Sequence, residues 1–252
     1  SFEKIVRLDV IFAKAYYANA TRSVRPIMNE KGMVRIERGR HPLIDKEKVV
    51  PTDIRVGDDF DLLFITGPNT GGKTVSIKTL GLLSMMAMCG LMIPAGDRSE
   101  ISVFDNILSD IGDEQSIEDD LSTYSSHLRN MKHFVRYADA HTLLLIDEFG
   151  TGTEPMIGGA IAEAVLSTLN EQRAFGVVTT HYGNLKHLAE RTEGIINGAM
   201  LYDRGQLKPL FQLSIGQAGS SFAVEIARQI GLPETIIQRA TDIVGEEHID
   251  YD

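Results

Sequence analysis

Residues Gly67 to Thr74 read Gly-Pro-Asn-Thr-Gly-Gly-Lys-Thr and complete the pattern G-x-x-x-x-G-K-[ST]. That spacing suits polyphosphate, because backbone N–H groups of a glycine-rich turn and the positive end of the following helix converge on anionic oxygens. Lys73 is expected to reach the β- and γ-phosphates of ATP, and the Thr74 hydroxyl to ligate Mg²⁺. Gly67, Pro68, Asn69, Thr70, Gly71, Gly72, Lys73, Thr74 and Val75 make up the expected cradle for ATP or ADP. A second set lies at Leu143-Leu144-Leu145-Ile146-Asp147-Glu148, an apolar run delivering two acids. Asp147 is expected to hold Mg²⁺ directly or through water, while Glu148 shares the metal site and polarises or deprotonates the attacking water. Any buried strand can end in acids; the phosphate loop upstream is what gives this pair its meaning.

Two further groups have both a chemical and a plain reading. His181 follows Val177-Val178-Thr179-Thr180, so it sits just off the end of another apolar strand. It either hydrogen-bonds the γ-phosphate from the crevice where parallel strands end or caps the next helix. Ser122 and Thr123 open a helix, where hydroxyls satisfy free backbone donors. If that helix faces a second subunit, the same hydroxyls can close over the other subunit's γ-phosphate.

The elements that must position these groups are legible in the spacing. Phe60 to Thr66 reads as a buried strand, and Lys73 to about Cys89 as the helix that follows the loop. Phe2, Ile5, Val6, Phe12 and Tyr16 mark an amphipathic helix. Strands are expected at 32–37, 101–111, 142–146 and 174–180, with polar loop between 45 and the strand at 60. Helices are expected at 121–139, 157–171 and 184–191. Strands near 194–202 and 206–213 meet at Asp203-Arg204-Gly205, a hairpin turn. Two short helices end the chain, separated by Gly231 and opened again at Pro233. Met85, Met86, Met88 and Met92 read as core filler, and Cys89 as a small buried apolar residue.

Composition narrows the class. With 252 residues, 43% of them hydrophobic and 24% charged, the chain can bury a sizeable core. A single cysteine excludes an internal disulfide framework and suits a reducing cytosol, so a cytoplasmic location is expected. No apolar run has the length of a membrane span, and no membrane partner is expected. The formal charge of −10 and the absence of a basic run argue against a sequence-independent DNA-binding face on this chain. The acidic cluster Asp113, Glu114, Glu118, Asp119 and Asp120 reads as a solvated face.

Phosphate loop, hydroxyl-rich helix, acidic strand and strand-end histidine follow one another as in ABC-type ATPase heads. Within that class the chain resembles the MutS mismatch-repair ATPases, and above all their second bacterial branch, the paralogues not dedicated to mismatch recognition. The resemblance rests on Thr66 to Val75, Ile111-Gly-Asp-Glu-Gln-Ser116, Leu121-Ser-Thr-Tyr-Ser-Ser-His127, Asp147 to Pro155, Thr179-Thr-His-Tyr182, Gly39-Arg-His-Pro42 and Gly231-Leu-Pro233. Tyr124 and Phe149 stand where Phe and Leu are usual in that family, and both keep the apolar character.

The resemblance implies an α/β, P-loop NTPase head of the ABC type: a central, mostly parallel sheet flanked by helices, plus a C-terminal helical dimerisation segment. Residues 1–30 would end an upstream lever helix, 31–215 form the ATPase domain, and 216–252 supply a dimer contact. It further implies a homodimer with composite sites, Ser122 and Thr123 acting in trans. Asn69 would contact the phosphates and the water, and Phe211 would stack on adenine. DNA, branched or otherwise, or a stalled ribosome would be engaged through domains outside this chain. Two rivals belong to other classes. A small-molecule P-loop kinase needs an Arg-rich lid, and none follows the loop helix. A purely nucleotide-binding structural module has no use for Glu148 after Asp147.

Overall fold

The computed structural model describes residues 2–67, 71–112, 120–150, 153–203, 206, 208–219 and 223–249, without the side chains of 120–123, 223 and 244–249. Asp113, Glu114, Glu118 and Asp119 of the acidic cluster, the tip of the phosphate loop at 68–70 and most of the 203–205 turn lie outside these residues. The hydroxyl-bearing side chains of Ser122 and Thr123 also lie outside them.

The chain forms α1 (Phe2–Thr21), β1 (Ile27–Asn29), β2 (Val34–Gly39), β3 (Thr52–Val56), β4 (Leu62–Thr66) and α2 (Lys73–Met88). There follow β5 (Glu100–Ser102), β6 (Asn106–Asp110), α3 (Asp120–Tyr137), β7 (Thr142–Ile146), α4 (Pro155–Glu171), β8 (Phe175–Thr179) and α5 (Gly183–Arg191). The last elements are β9 (Ile195–Asp203), β10 (Lys208–Ile215), α6 (Ala223–Gln229) and α7 (Glu234–Ile249).

The larger sheet runs β10-β9-β4-β8-β7-β6, and only the β10–β9 pair is antiparallel. Its middle strands β4, β7 and β8 are buried on both faces, which is why they read as continuous apolar runs instead of alternating ones. Leu63, Ile65, Leu143, Leu145 and Val177 face one core, which α2 closes with Ile77, Leu80 and Leu83. Leu62, Phe64, Leu144, Ile146 and Val178 face the other, closed by Met131 and Phe134 of α3 and Leu166 and Leu169 of α4. Each such fully buried aliphatic side chain contributes about 1.5–3 kcal/mol over its exposed state.

A second sheet, β1-β5-β2-β3, covers the outer side of the α2 core with Val34, Ile36, Ile54 and Val56. Two expectations change here. The strand-like stretch 101–111 is two strands in different sheets, β5 beside β2 and β6 beside β7. The polar stretch before β4 contains β3, whose alternate residues Asp53 and Arg55 stay at least partly exposed while Ile54 and Val56 are buried. Surface chemistry also departs from expectation: Cys89 is exposed at the C-cap of α2, and only Met86 of the four methionines is buried. Both sheets pack on α2, and Met85 and Met88 fall at positions of the helix that neither sheet covers, while Met92 lies beyond its end. α1 is exposed along nearly its whole length, with only Ala18 buried. No helix among the described residues is long and apolar enough to cross a membrane.

Gly176 lets β7 and β8 close up: a Cβ there would meet the Leu144 carbonyl oxygen at 2.5 Å and its Cα at 3.0 Å. Backbone is the obstacle, so the strands would have to separate. Gly176→Ala is therefore expected to cost about 1–3 kcal/mol of stability, read as a lower midpoint in urea unfolding. An unchanged midpoint would show that the two strands have slack.

Candidate functional site

β4, β7 and β8 all point their carboxyl ends at one crevice, and β8 lies between the other two. The register aligns Ile65 with Thr179 and Ile146 with Val178, so the loop after β4, Asp147 after β7 and His181 after β8 emerge at one level. In open parallel sheets that edge is where ligands bind.

Thr179 ties the level together. Its hydroxyl donates to Asp147 Oδ1 and accepts the Glu148 N–H at 2.8 Å. From the opposite side the Thr74 hydroxyl donates to Asp147 Oδ2 at 2.6 Å. Thus the last residue of the phosphate-loop pattern and the acid of the second motif are in direct contact, although 73 positions apart. Asp147 is 8% exposed and its two oxygens are oriented by these hydroxyls.

Gly72 is the N-cap of α2 at φ 91°, a left-handed conformation. A Cβ there would meet the Phe211 ring at 3.0 Å, so both backbone and space call for glycine. Gly67, at φ 121°, turns the chain out of β4. Between them Lys73 is fully buried, and its Nζ donates to the Gly67 carbonyl at 2.7 Å and lies 3.2 Å from His181 Nε2. Burial pushes the Lys73 ammonium down to about 8, against the pull of Glu148 and Asp147. His181 Nε2 stands 3.7 Å from Glu148 Oε1. Burial and then the Lys73 charge depress its pKa, so the imidazole is mainly neutral at neutral pH. The N-cap of α5 is Tyr182, not His181, and the histidine faces the crevice instead. Glu148 itself sits at φ 52°, uncommon outside glycine and a conformation often kept at functional sites.

The donor set of Thr74 and Asp147 fits a hard divalent cation: one hydroxyl and one carboxylate, both oxygen, beside the start of α2. Among the described residues no group of three His, Cys, Asp or Glu side chains could hold a metal. Mg²⁺ held mainly by phosphate oxygens and water does not require one.

Of the expected residues, Gly67, Gly71, Gly72, Lys73, Thr74, Asp147, Glu148 and His181 come together here. Pro68, Asn69 and Thr70 lie outside the described residues. α3 begins at Asp120, so Ser122 and Thr123 are in its first turn, their side chains likewise outside. Phe211, on β10, borders a cleft of about 130 Å³ whose other walls include Gly72, Val75, His41 and Val49. The cleft opens directly beside the phosphate loop.

Sequence reasoning missed Thr179 as a bridge and missed Asp110. Asp110 ends β6 beside Ile146, its carbonyl accepts the Asp147 N–H at 2.9 Å, and its buried carboxylate meets His127 Nδ1 at 2.7 Å and Asn130 Nδ2 at 2.8 Å. This polar cluster anchors α3 to β6, whose last residue also bonds the Asp147 N–H at the end of β7. Asp110 closes a strand of mixed polarity, Asn-Ile-Leu-Ser-Asp, so its local pattern did not set it apart.

The chain matches the family model MutS domain V over residues 63–247. It is 48% identical over 248 residues to the Endonuclease MutS2 of Clostridium beijerinckii, covering 98% of this chain and 32% of that relative. The Endonuclease MutS2 of Lachnospira eligens is 48% identical over 251 residues, 100% of this chain and 32% of its own length. That of Geobacillus sp. (strain WCH70) is 48% identical over 243 residues, 96% and 31% respectively. The chain spans about a third of the length of the curated relatives it matches. Both the crevice residues and these matches lead to one statement: the chain belongs to the MutS domain V family.

Proposed function

We propose that the chain is an ABC-type, Mg²⁺-dependent ATPase head that works as one half of a homodimer. The observation that carries this reading is the 2.6 Å contact between Thr74 Oγ1 and Asp147 Oδ2, which joins phosphate loop and acidic strand at one point. Phosphate oxygens would enter at the loop between β4 and α2, where the start of a helix favours anions, and Lys73 would leave the Gly67 carbonyl for the β- and γ-phosphates. Thr74 and Asp147 would hold Mg²⁺. When bound there, the ion neutralises charge on the phosphate oxygens. Glu148 accepts a proton from the water whose oxygen attacks the γ-phosphorus. The bond from that phosphorus to the bridging oxygen breaks, and ADP leaves with the electron pair. His181, neutral and 3.2 Å from Lys73, is assigned a hydrogen bond to the γ-phosphate. Asn69 is assigned to the phosphates and water, and adenine to the cleft beside Phe211.

Ser122 and Thr123 are assigned to the partner's γ-phosphate. The Asp110–His127–Asn130 cluster supports that role because it ties α3 to β6, whose Asp110 carbonyl in turn accepts the Asp147 N–H. The exposed Ile230, Leu232, Ile236 and Ile243 of the C-terminal segment suit a dimer contact. In the whole protein, nucleotide state would drive a clamp acting on branched DNA, or would split a stalled ribosome, through parts outside this chain. We likewise place the endonuclease activity in the relatives' printed name outside the third of their length matched here.

Glu148→Gln is expected to cut steady-state phosphate release at least about a hundredfold while ATP stays bound, measured by phosphate release and by retention of labelled nucleotide. Wild-type turnover by that variant would refute the assigned base. Lys73 carries the cost of an anion site kept ready. Its folded-state pKa of about 8 lies below the unfolded 10.5, so the unfolded chain binds more protons in between and stability rises with pH through that window. Lys73→Met should therefore unfold at higher urea than wild type at pH 7 without nucleotide, by roughly 1–3 kcal/mol, yet lose ATP binding. Lower stability in the variant would show that Asp147 and Glu148 need the cation more than the cation suffers from burial.

A further inference from the structure

Phe211 is held in place by an unusual device. β10 pairs with β9 at Pro209↔Tyr202 and again at Leu213↔Met200, so three residues of β10 span one of β9. Phe211 is the middle of the three and takes φ 54°, which a bulky residue keeps only when its surroundings impose it. On one side its ring lies against Gly72, where a Cβ would come within 3.0 Å. On the other, its backbone carbonyl accepts the Thr52 hydroxyl at 3.0 Å. A hydroxyl has one proton to donate, and the alternative acceptor, the Val50 carbonyl, is farther at 3.4 Å.

Thr52 begins β3 and pairs with Gly39, just beyond a second register shift, in β2. It therefore belongs to the smaller sheet, while Phe211 belongs to the larger one. Thr52 and Phe211 line the same cleft, which the smaller sheet closes from one side and α2 from the other. Resting on the reading of that cleft as the nucleobase pocket, we propose that Thr52 is a positioning residue for nucleobase recognition: by fixing the Phe211 bulge it sets the ring against which the base stacks. Thr52 acts by way of the Phe211 ring on the base side of the site, so its effect falls on the base and not on the phosphates.

The test is equilibrium binding of Mg·ATP and Mg·tripolyphosphate to the 252-residue chain, in wild type, Thr52→Val, Thr52→Ser and Phe211→Ala. Thr52→Val keeps the shape and β-branching of threonine and removes the donor, so it is expected to weaken ATP about three- to tenfold and leave tripolyphosphate unchanged. Thr52→Ser, which restores the hydroxyl, is expected to bind ATP within about twofold of wild type. Wild-type ATP affinity in Thr52→Val, with Phe211→Ala weakened, overturns the role of Thr52 and leaves the base pocket standing. Equal weakening of ATP and tripolyphosphate in Thr52→Val also overturns it, since only a general loss of structure would do that. Unaltered ATP affinity in Phe211→Ala sinks the base-pocket reading and this proposal with it. Should Thr52→Val not fold, Thr52→Ala is read against the same two ligands.

Discussion

The carboxylate of Asp147 receives one hydroxyl from Thr74, on the helix after the phosphate loop, and another from Thr179, on the strand between. Those bonds cross three neighbouring elements at the carboxyl edge of the larger sheet. Asp147 is nearly buried, so neither bond competes with bulk water and each oxygen has a defined direction. If β4, β8 and β7 shifted relative to one another, the carboxylate would lose its donors and stand unpaired in a dry place. The register of the sheet and the constellation of the crevice are in this sense one constraint.

That register depends in turn on packing. Residues of odd and even number in β4 and β7 face separate cores, so a one-residue slip would exchange their contents and turn Asp147 to the wrong level. Gly176 adds a shorter-range restriction, holding β7 and β8 at a separation a methyl group would not allow. Asp110 extends the same polar edge outward to β6 and through His127 to α3. The helix that opens with Ser122 and Thr123 is thereby coupled to the strand carrying Asp147 by buried hydrogen bonds instead of by loose contact.

On the other flank, the smaller sheet does more than cover α2. Its strands approach β10 closely enough for Thr52 to bond the Phe211 carbonyl, and its loops supply His41 and Val49 to the cleft beside Gly72. His41 is lowered in pKa by burial and then by Lys78, and its Nδ1 accepts the Leu43 N–H at 3.3 Å. Nε2 of the neutral ring therefore carries the proton. Among the described residues lining this cleft Lys48 is the one charged side chain, while Lys73 is buried in the neighbouring crevice. A partly apolar cleft thus adjoins the start of α2, where Gly72 borders it and the next residue is the buried Lys73.

Much of this was present in local pattern. The phosphate loop, the acidic strand end, the strand-end histidine and most helices announce themselves through spacing, because turns, caps and doubly buried strands each demand particular residues in a row. What did not announce itself was everything that depends on partners far away in the chain. The split of 101–111 into strands of different sheets, the hidden strand Thr52–Val56 in a polar stretch, and the outward turn of Cys89 and three methionines follow from which neighbour each element finds. Thr179 and Asp110 look ordinary in sequence and gain their roles only where the sheet brings hydroxyl and carboxylate within bonding distance. The sequence by itself determined the kind of chemistry, since backbone N–H groups, an ammonium, a hydroxyl and carboxylates define what can be bound. Tertiary structure alone decided which hydroxyl meets which carboxylate and which ring closes the cleft, because those distances are set by strand order and register, and neither can be read from neighbouring letters.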